Sequence, residues 1–247
     1  AKRHNIGATF VWEMYNDKKN WVTGTRDFAI GLIPDLDYGN DSNQKSSGKT
    51  QKTAHAGWVG RLNYDYGNRY LVEFNFRYDG TYKFQRGNRW GFFPGVSLGW
   101  RVSEEDFFKK LLPDMDNLKI RASYAKVGDE GDFDAFQYLD GYTSHGSYIM
   151  GSGGVTSGMT TVGMANSWLT WYESKIMNVG FEVSYHRGLI SMEFDWFRRN
   201  RSGLPATRSG SLPTVFGESM PQENLNSDIN TGFEIAIGHK NKIGEFL

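Results

Sequence analysis

The chain has 247 residues, with 28 Lys and Arg balanced by 28 Asp and Glu, and it contains no cysteine, 8 Trp, 13 Tyr and 17 Phe. Zero net charge removes the electrostatic reason to expect nucleic acid or an anionic surface as partner, and the lack of Cys excludes a disulfide framework and any thiolate metal site. No run approaches the roughly 18 apolar residues of a spanning helix, but a mean hydropathy of −0.57 also suits a transmembrane barrel, whose strands alternate apolar and polar positions.

In chain order, the period is two almost throughout. Residues 4–15 and 21–27 are the weaker candidate strands. Residues 55–66 set Trp58, Leu62, Tyr64 and Tyr66 against Arg61, Asn63 and Asp65. Residues 70–79 give the clearest case, with Tyr70, Val72, Phe74, Phe76 and Tyr78 on one face and Leu71, Glu73, Asn75, Arg77 and Asp79 on the other. A one-residue slip would exchange these faces; in a bilayer it would turn three charges toward lipid, at up to about 2–4 kcal/mol each at the midplane. Residues 90–101, 118–127, 175–185, 189–200 and 226–239 repeat the theme. This predicts about nine strands, with a tenth beginning near Ile243.

Connections alternate in length. Short turns are expected at residues 16–20, 66–69, 186–188 and 239–241, and long polar loops at 28–54, 80–89, 128–172 and 201–225. Bacterial outer-membrane barrels show this pairing of short periplasmic turns with long extracellular loops. Residues 102–117 depart from it: they fall on the short-turn side yet are long, and residues 103–110 read as a capped helical turn. A soluble antiparallel sandwich would also alternate. Against it stand strands of about 10–13 residues, where sandwich strands average about 5–6, and aromatics gathered at strand ends (Trp58, Tyr66, Tyr70, Tyr78, Trp90, Trp100, Tyr124, Tyr185, Trp196) as in interfacial girdles. The expected fold is therefore all-β, an antiparallel transmembrane β-barrel. The chain has no initiator Met and no signal-peptide pattern, and it stops at Glu245-Phe246-Leu247 just after a turn, which reads as an internal piece of a longer polypeptide.

Several motifs in order carry a resemblance: Gly60-Arg61-Leu62-Asn63-Tyr64, Phe76-Arg77-Tyr78-Asp79-Gly80, Asn88-Arg89-Trp90-Gly91-Phe92-Phe93-Pro94, Gly99-Trp100-Arg101 and Leu118-Lys119-Ile120-Arg121-Ala122-Ser123-Tyr124. Trp171-Tyr172-Glu173 with Asn178-Val179-Gly180, and Asn224-Leu225-Asn226 with Asn230-Thr231-Gly232-Phe233-Glu234, continue it. Together they resemble the mid-barrel region of SusC/RagA-like TonB-linked outer-membrane transporters of the Bacteroidetes, over most of residues 55–240. Two loop stretches depart from the family pattern, Arg201-Ser202-Gly203-Leu204-Pro205 and Gly128-Asp129-Glu130-Gly131-Asp132, and they leave the substrate open.

The resemblance implies a barrel of some 22 strands, of which residues 1–247 form a partial barrel domain without the plug or N-terminal domains. It further implies an importer of oligosaccharides or peptides and a multi-pass place in outer-membrane lipid. A SusD-like surface lipoprotein would cap the mouth, TonB-ExbB-ExbD would supply energy through the absent plug, and complexes would often pair as homodimers. No enzyme activity, cofactor or nucleic-acid partner is expected. An outer-membrane barrel enzyme and a soluble β-rich adhesin or binding module are the alternatives.

Candidate residues follow. Arg61, Asn63, Glu73, Asn75, Arg77, Arg121 and Glu182 form a polar row expected to face the lumen and there to meet the plug. Exposed aromatics in the long 128–172 loop (Tyr142, Tyr148, Trp168 and Trp171) could stack on sugars or grip a lid, or else pack within the loop. The acidic cluster Asp129, Glu130, Asp132 and Asp134 could offer oxygens to Ca²⁺, but it lacks the EF-hand pattern and reads better as a solvated loop, as do Asp35 and Asp37. Five histidines (His4, His55, His145, His186, His239) lack metal-ligand spacing. Residues 151–158 are glycine-rich without a P-loop ending, and read as a loop.

Overall fold

The computed structural model describes residues 3–27, 35–151, 153–208, 210, 213, 215 and 217–241. Eight strands form one antiparallel sheet in the order β1 (His4–Asp27), β2 (Asn40–Tyr66), β3 (Tyr70–Thr81), β4 (Trp90–Arg101), β5 (Met115–Asp129), β8 (Tyr172–Tyr185), β9 (Ile190–Thr207) and β10 (Gln222–His239). Every neighbour in the sheet is the next strand in sequence, except that a separate hairpin, β6 (Tyr142–Met150) with β7 (Gly154–Thr161), interrupts between β5 and β8. The meander does not close on itself among the described residues. A tenth strand near Ile243 falls outside them.

The all-β, membrane-barrel architecture stands, with a different strand count at the start. Residues 16–20 do not turn. They continue β1, and Asn16 pairs with Ala54, Lys18 with Lys52 and Asn20 with Thr50. The expected 28–54 loop is accordingly half strand, since β2 begins at Asn40. β3 ends at Thr81 opposite His55, so beyond that level β1 and β2 run on as an unaccompanied two-stranded ribbon. Their side chains there meet water on both faces, which removes the apolar alternation that marks a half-buried strand. The glycine-rich 151–158 stretch is likewise mostly exposed and supplies the tip and return strand of the β6–β7 hairpin, with Gly151 and Gly153 at positive φ. β9 too extends beyond expectation, to Thr207, but there it is half-buried, with Leu204 packed on a buried cluster. The connection between β9 and β10 shrinks to residues 208–221.

Residues 103–110 adopt helix as expected, with a different cap. A 3-10 turn at Val102–Glu104 precedes α1 (Asp106–Leu111), whose N-cap is Glu105 without a side-chain cap bond. Ser103 is instead buried.

Register explains the two faces. Trp58 pairs with Tyr78 and Tyr78 with Phe92; Leu62 pairs with Phe74, Phe74 with Val96 and Val96 with Tyr124. Further round, Ile120 pairs with Phe181, Phe181 with Phe194 and Phe194 with Ile235. These rows remain solvent-accessible in the isolated chain. β3 and β4 are 12 residues long; at about 3.3 Å per residue and a tilt near 40°, each crosses about 30 Å, the thickness of a hydrocarbon core. The apolar rows thus form a face that fits the hydrocarbon of a bilayer. A protein core in the ordinary sense is nearly absent. Among the described residues, a buried cluster sits at the long-loop end, where Phe84, Phe133, Leu169 and Tyr172 pack with Trp171 and Leu204.

Candidate functional site

The polar row opposite the lipid-facing surface is wired together by charge. Arg61 binds Glu73 through Nε at 3.0 Å and Nη2 at 2.5 Å, and Asn75 lies beside the same carboxylate. Arg77 grips Asp79 at 2.8 and 3.0 Å and reaches across β2 to Glu13 at 2.5 Å. Arg121 donates from Nε to Asp195 at 3.2 Å, from Nη2 to the same carboxylate, and from Nη1 to Glu182 at 2.5 Å. Lys119 joins Glu182 at 3.4 Å. The bidentate Arg77–Asp79 and Arg121–Asp195 pairs fix geometry as well as charge.

Glycine makes the long reaches possible. Gly180 stands between Arg121 and Asp195 in the ladder, and a Cβ there would lie 2.3 Å from Asp195 Oδ1 and 2.4 Å from the Phe194 carbonyl oxygen. Gly57 separates Glu13 from Asp79 in the same way, its Cβ position 2.2 Å from Asp79 Oδ1. The sheet curves toward this face. A cavity of about 580 Å³ has Arg61 and Asn63 of β2, Glu73, Arg121 and Asp195, and Glu234 of β10 on its border. Arg61, Asn63, Glu73 and Arg121 of the predicted polar row border this cavity, Asn75 and Glu182 are tied to them by hydrogen bonds, and Arg77 joins Asp79 and Glu13 further along β3. Glu13, Asp79, Lys119 and Asp195 complete the network and were absent from the predicted row, although alternation had placed Asp79 on the polar face of its strand.

The four loop aromatics separate. Trp171 is structural: its Nε1 donates to the Arg89 carbonyl at 3.0 Å, and its ring meets Phe84 and Phe93 edge-on. Tyr142, Tyr148 and Trp168 are exposed, Trp168 at 84%. Of the acidic cluster, Asp129 accepts the Tyr172 hydroxyl at 2.6 Å and the Gly131 amide at 2.8 Å, whereas Asp132 and Asp134 point to solvent. Glu130 faces His55 Nδ1 at 3.3 Å. Among the described residues no three His, Cys, Asp or Glu are grouped to hold a metal ion. His4 Nδ1 lies 2.9 Å from the Tyr64 hydroxyl, and His186 sits at positive φ in the β8–β9 turn.

At the short-turn end, Glu105 gathers three donors. Oε1 accepts the Tyr70 hydroxyl at 2.7 Å and Trp100 Nε1 at 3.2 Å, and Oε2 accepts Arg69 Nη1 at 3.1 Å. The hydrogen bonds from Tyr70 and Trp100, with help from Arg69, hold this carboxyl below its ordinary value of 4.5. A depressed carboxylate stabilises the fold fully above its unfolded value and ceases to do so as pH falls through the lower folded value. Amide protection at residues 108–112 is therefore expected to hold at pH 7, to fall several-fold on acidification below about pH 4.5, and to lose that pH dependence in Glu105→Gln. Hydrogen-exchange protection factors read this directly; equal protection at pH 7 and pH 3 in the unaltered chain would contradict it.

Comparison with known proteins agrees with this geometry. Residues 3–244 match the family model described as TonB dependent receptor-like, beta-barrel. The chain is 34% identical over 184 residues to the TonB-dependent receptor SusC of Bacteroides thetaiotaomicron, covering 74% of this chain and 18% of that protein. It is 30% identical over 247 residues to a TonB-dependent receptor of Formosa agariphila, covering 92% of this chain and 22% of the relative. In three dimensions it superposes on a solved structure of the RagAB peptide importer with a TM-score of 0.83, at 16% identity, over 99% of this chain and 26% of that one. The chain thus spans about a fifth of the length of the curated relatives it matches. With the lipid-facing rows, the charged concave wall and the two unequal ends already placed, the chain belongs to the TonB-dependent receptor β-barrel family, as a stretch of outer-membrane barrel wall of the SusC/RagA type.

Proposed function

We propose that this chain forms part of the wall of an outer-membrane importer of oligosaccharides or peptides. A SusD-like lipoprotein would close its mouth, and energy would arrive from TonB-ExbB-ExbD through a plug held inside the barrel. The observation that carries the reading is the concave charged wall. Its arginines and carboxylates are paired with one another rather than grouped around a reactive centre, as suits a surface that holds a plug in register.

In this reading Arg61, Asn63, Glu73, Asn75, Arg77, Arg121 and Glu182 contact the plug rather than the cargo. Tyr142, Tyr148 and Trp168 are the wall's candidates for touching a lid or a sugar ring, because aromatic faces exposed at a mouth stack on either. Two such complexes side by side would give the homodimer. The RagAB relative is named as a peptide importer, which keeps peptides beside oligosaccharides as the cargo class.

A strain lacking the intact gene, grown on oligosaccharides or on peptides as the sole source, tests the proposal. Growth on one class should fail, return with the gene, and fail again when TonB is inactivated. A surface lipoprotein should co-purify with the intact protein. Undiminished uptake of both classes without the gene would end the proposal.

A further inference from the structure

The Glu105 anchor fixes which side of the barrel α1 occupies. Tyr70 and Trp100 are cross-strand partners and belong to the lipid-facing rows with Val72, Phe74, Val96 and Leu98. Both their polar tips converge on one oxygen of Glu105, so the segment after β4 folds outward over the strand ends and away from the concave wall. Arg69 ties the next residue as well, with Nη2 3.3 Å from Asp106.

Helical spacing then sorts the side chains of α1. Phe108 turns inward and is buried at 8% exposure, whereas Phe107 and Leu111, four residues apart, stand out at 60% and 71% with Leu112 beside them at 42%. Lys110 shares their face by spacing and has no ion pair among the described residues; Lys109 binds Glu104 at 2.7 Å.

We infer that α1 is a foot embedded in the periplasmic leaflet of the outer membrane. Phe107, Leu111 and Leu112 would enter the boundary between acyl chains and headgroups, and Lys110 would reach the lipid phosphates. The occupant follows from continuity. The helix that carries the exposed apolar face is tied through Glu105 to Tyr70 and Trp100, at the rim of a surface that already faces lipid, and an apolar face bordered by Lys is how helices lie in such an interface. This inference rests on the membrane placement of the barrel and is independent of what the protein imports.

The test uses the intact protein in phospholipid nanodiscs, with nitroxide labels at Phe107→Cys and Leu111→Cys in a background free of other cysteines. Collision with oxygen, which partitions into lipid, is compared with collision with a water-soluble nickel chelate. Phe74→Cys serves as the lipid reference and Lys18→Cys as the water reference. Both α1 labels are expected to favour oxygen several-fold, as at Phe74. Chelate access like that at Lys18 would overturn the inference, and so would shielding from both reagents, which would mean that protein covers the face. Reading the two positions separately keeps the outcome decisive if one label blocks folding.

Discussion

Replacing Phe74 by Arg is expected to destabilise the barrel by about 2–4 kcal/mol, the cost of a cation on the lipid face near the bilayer midplane. Phe74 lies mid-strand between Leu62 and Val96, too far from either rim for the new guanidinium to snorkel at little cost. Ser97→Lys, on the opposite face and paired with Glu73, should change stability by less than about 1 kcal/mol, because an ammonium there shares the Glu73 carboxylate with Arg61 in a partly wet site. Urea titration of the reconstituted intact protein measures both. Equal costs at the two positions would mean that the faces are not divided between lipid and interior.

A single methyl group on Gly180 should do comparable damage from the other side of the wall. The methyl carbon would lie 2.3 Å from Asp195 Oδ1 and 2.4 Å from the Phe194 carbonyl oxygen. The carboxylate can rotate away, but the carbonyl belongs to the ladder between β8 and β9 and cannot move without loosening it. Gly180→Ala is thus expected to cost about 1–3 kcal/mol through overpacking, and it also pushes Asp195 off Arg121. Adding Asp195→Ala relieves only the first contact, so the double variant should recover little. Gly87→Ala, with nothing within 4 Å of its Cβ position, is the neutral reference. A Gly180→Ala protein as stable as the Gly87→Ala protein would refute the crowding.

How legible each part was in the sequence depended on what surrounds it. Between the girdles, hydrocarbon on one side and charge on the other force an alternation of two, and β3, β4, β8 and most of β9 stand where the pattern puts them. Above the rim both sides of a strand face water, and the constraint vanishes. Asn16-Asp17-Lys18-Lys19-Asn20 carries the composition of a turn yet runs straight within β1, because Ala54, Thr53, Lys52, Gln51 and Thr50 pair with it. The β6–β7 hairpin was hidden for the same reason. The ion-pair network was half visible. Alternation shows that Arg121 and Asp195 share a face, but they lie 74 residues apart, and only the β5–β8–β9 order, skipping a hairpin, makes them neighbours. Trp171 takes one of the two outcomes left open for the loop aromatics, and only the structure decides it, because composition cannot separate an aromatic seated on Phe84 and Phe93 from one left in water.

The unclosed meander constrains how such a wall can be made. Among the described residues, β1 and β10 each present a row of backbone donors and acceptors along their outer flank, and oil tolerates no such row left vacant. Eight strands that satisfy one another only in the middle cannot enter a membrane piecemeal. They must be handed in together with the remainder of the ring, so that the last seam is sewn as the first staves enter. Released alone into water, the same two flanks would recruit copies of themselves, and the outcome would be fibrous stacking rather than a smaller pore.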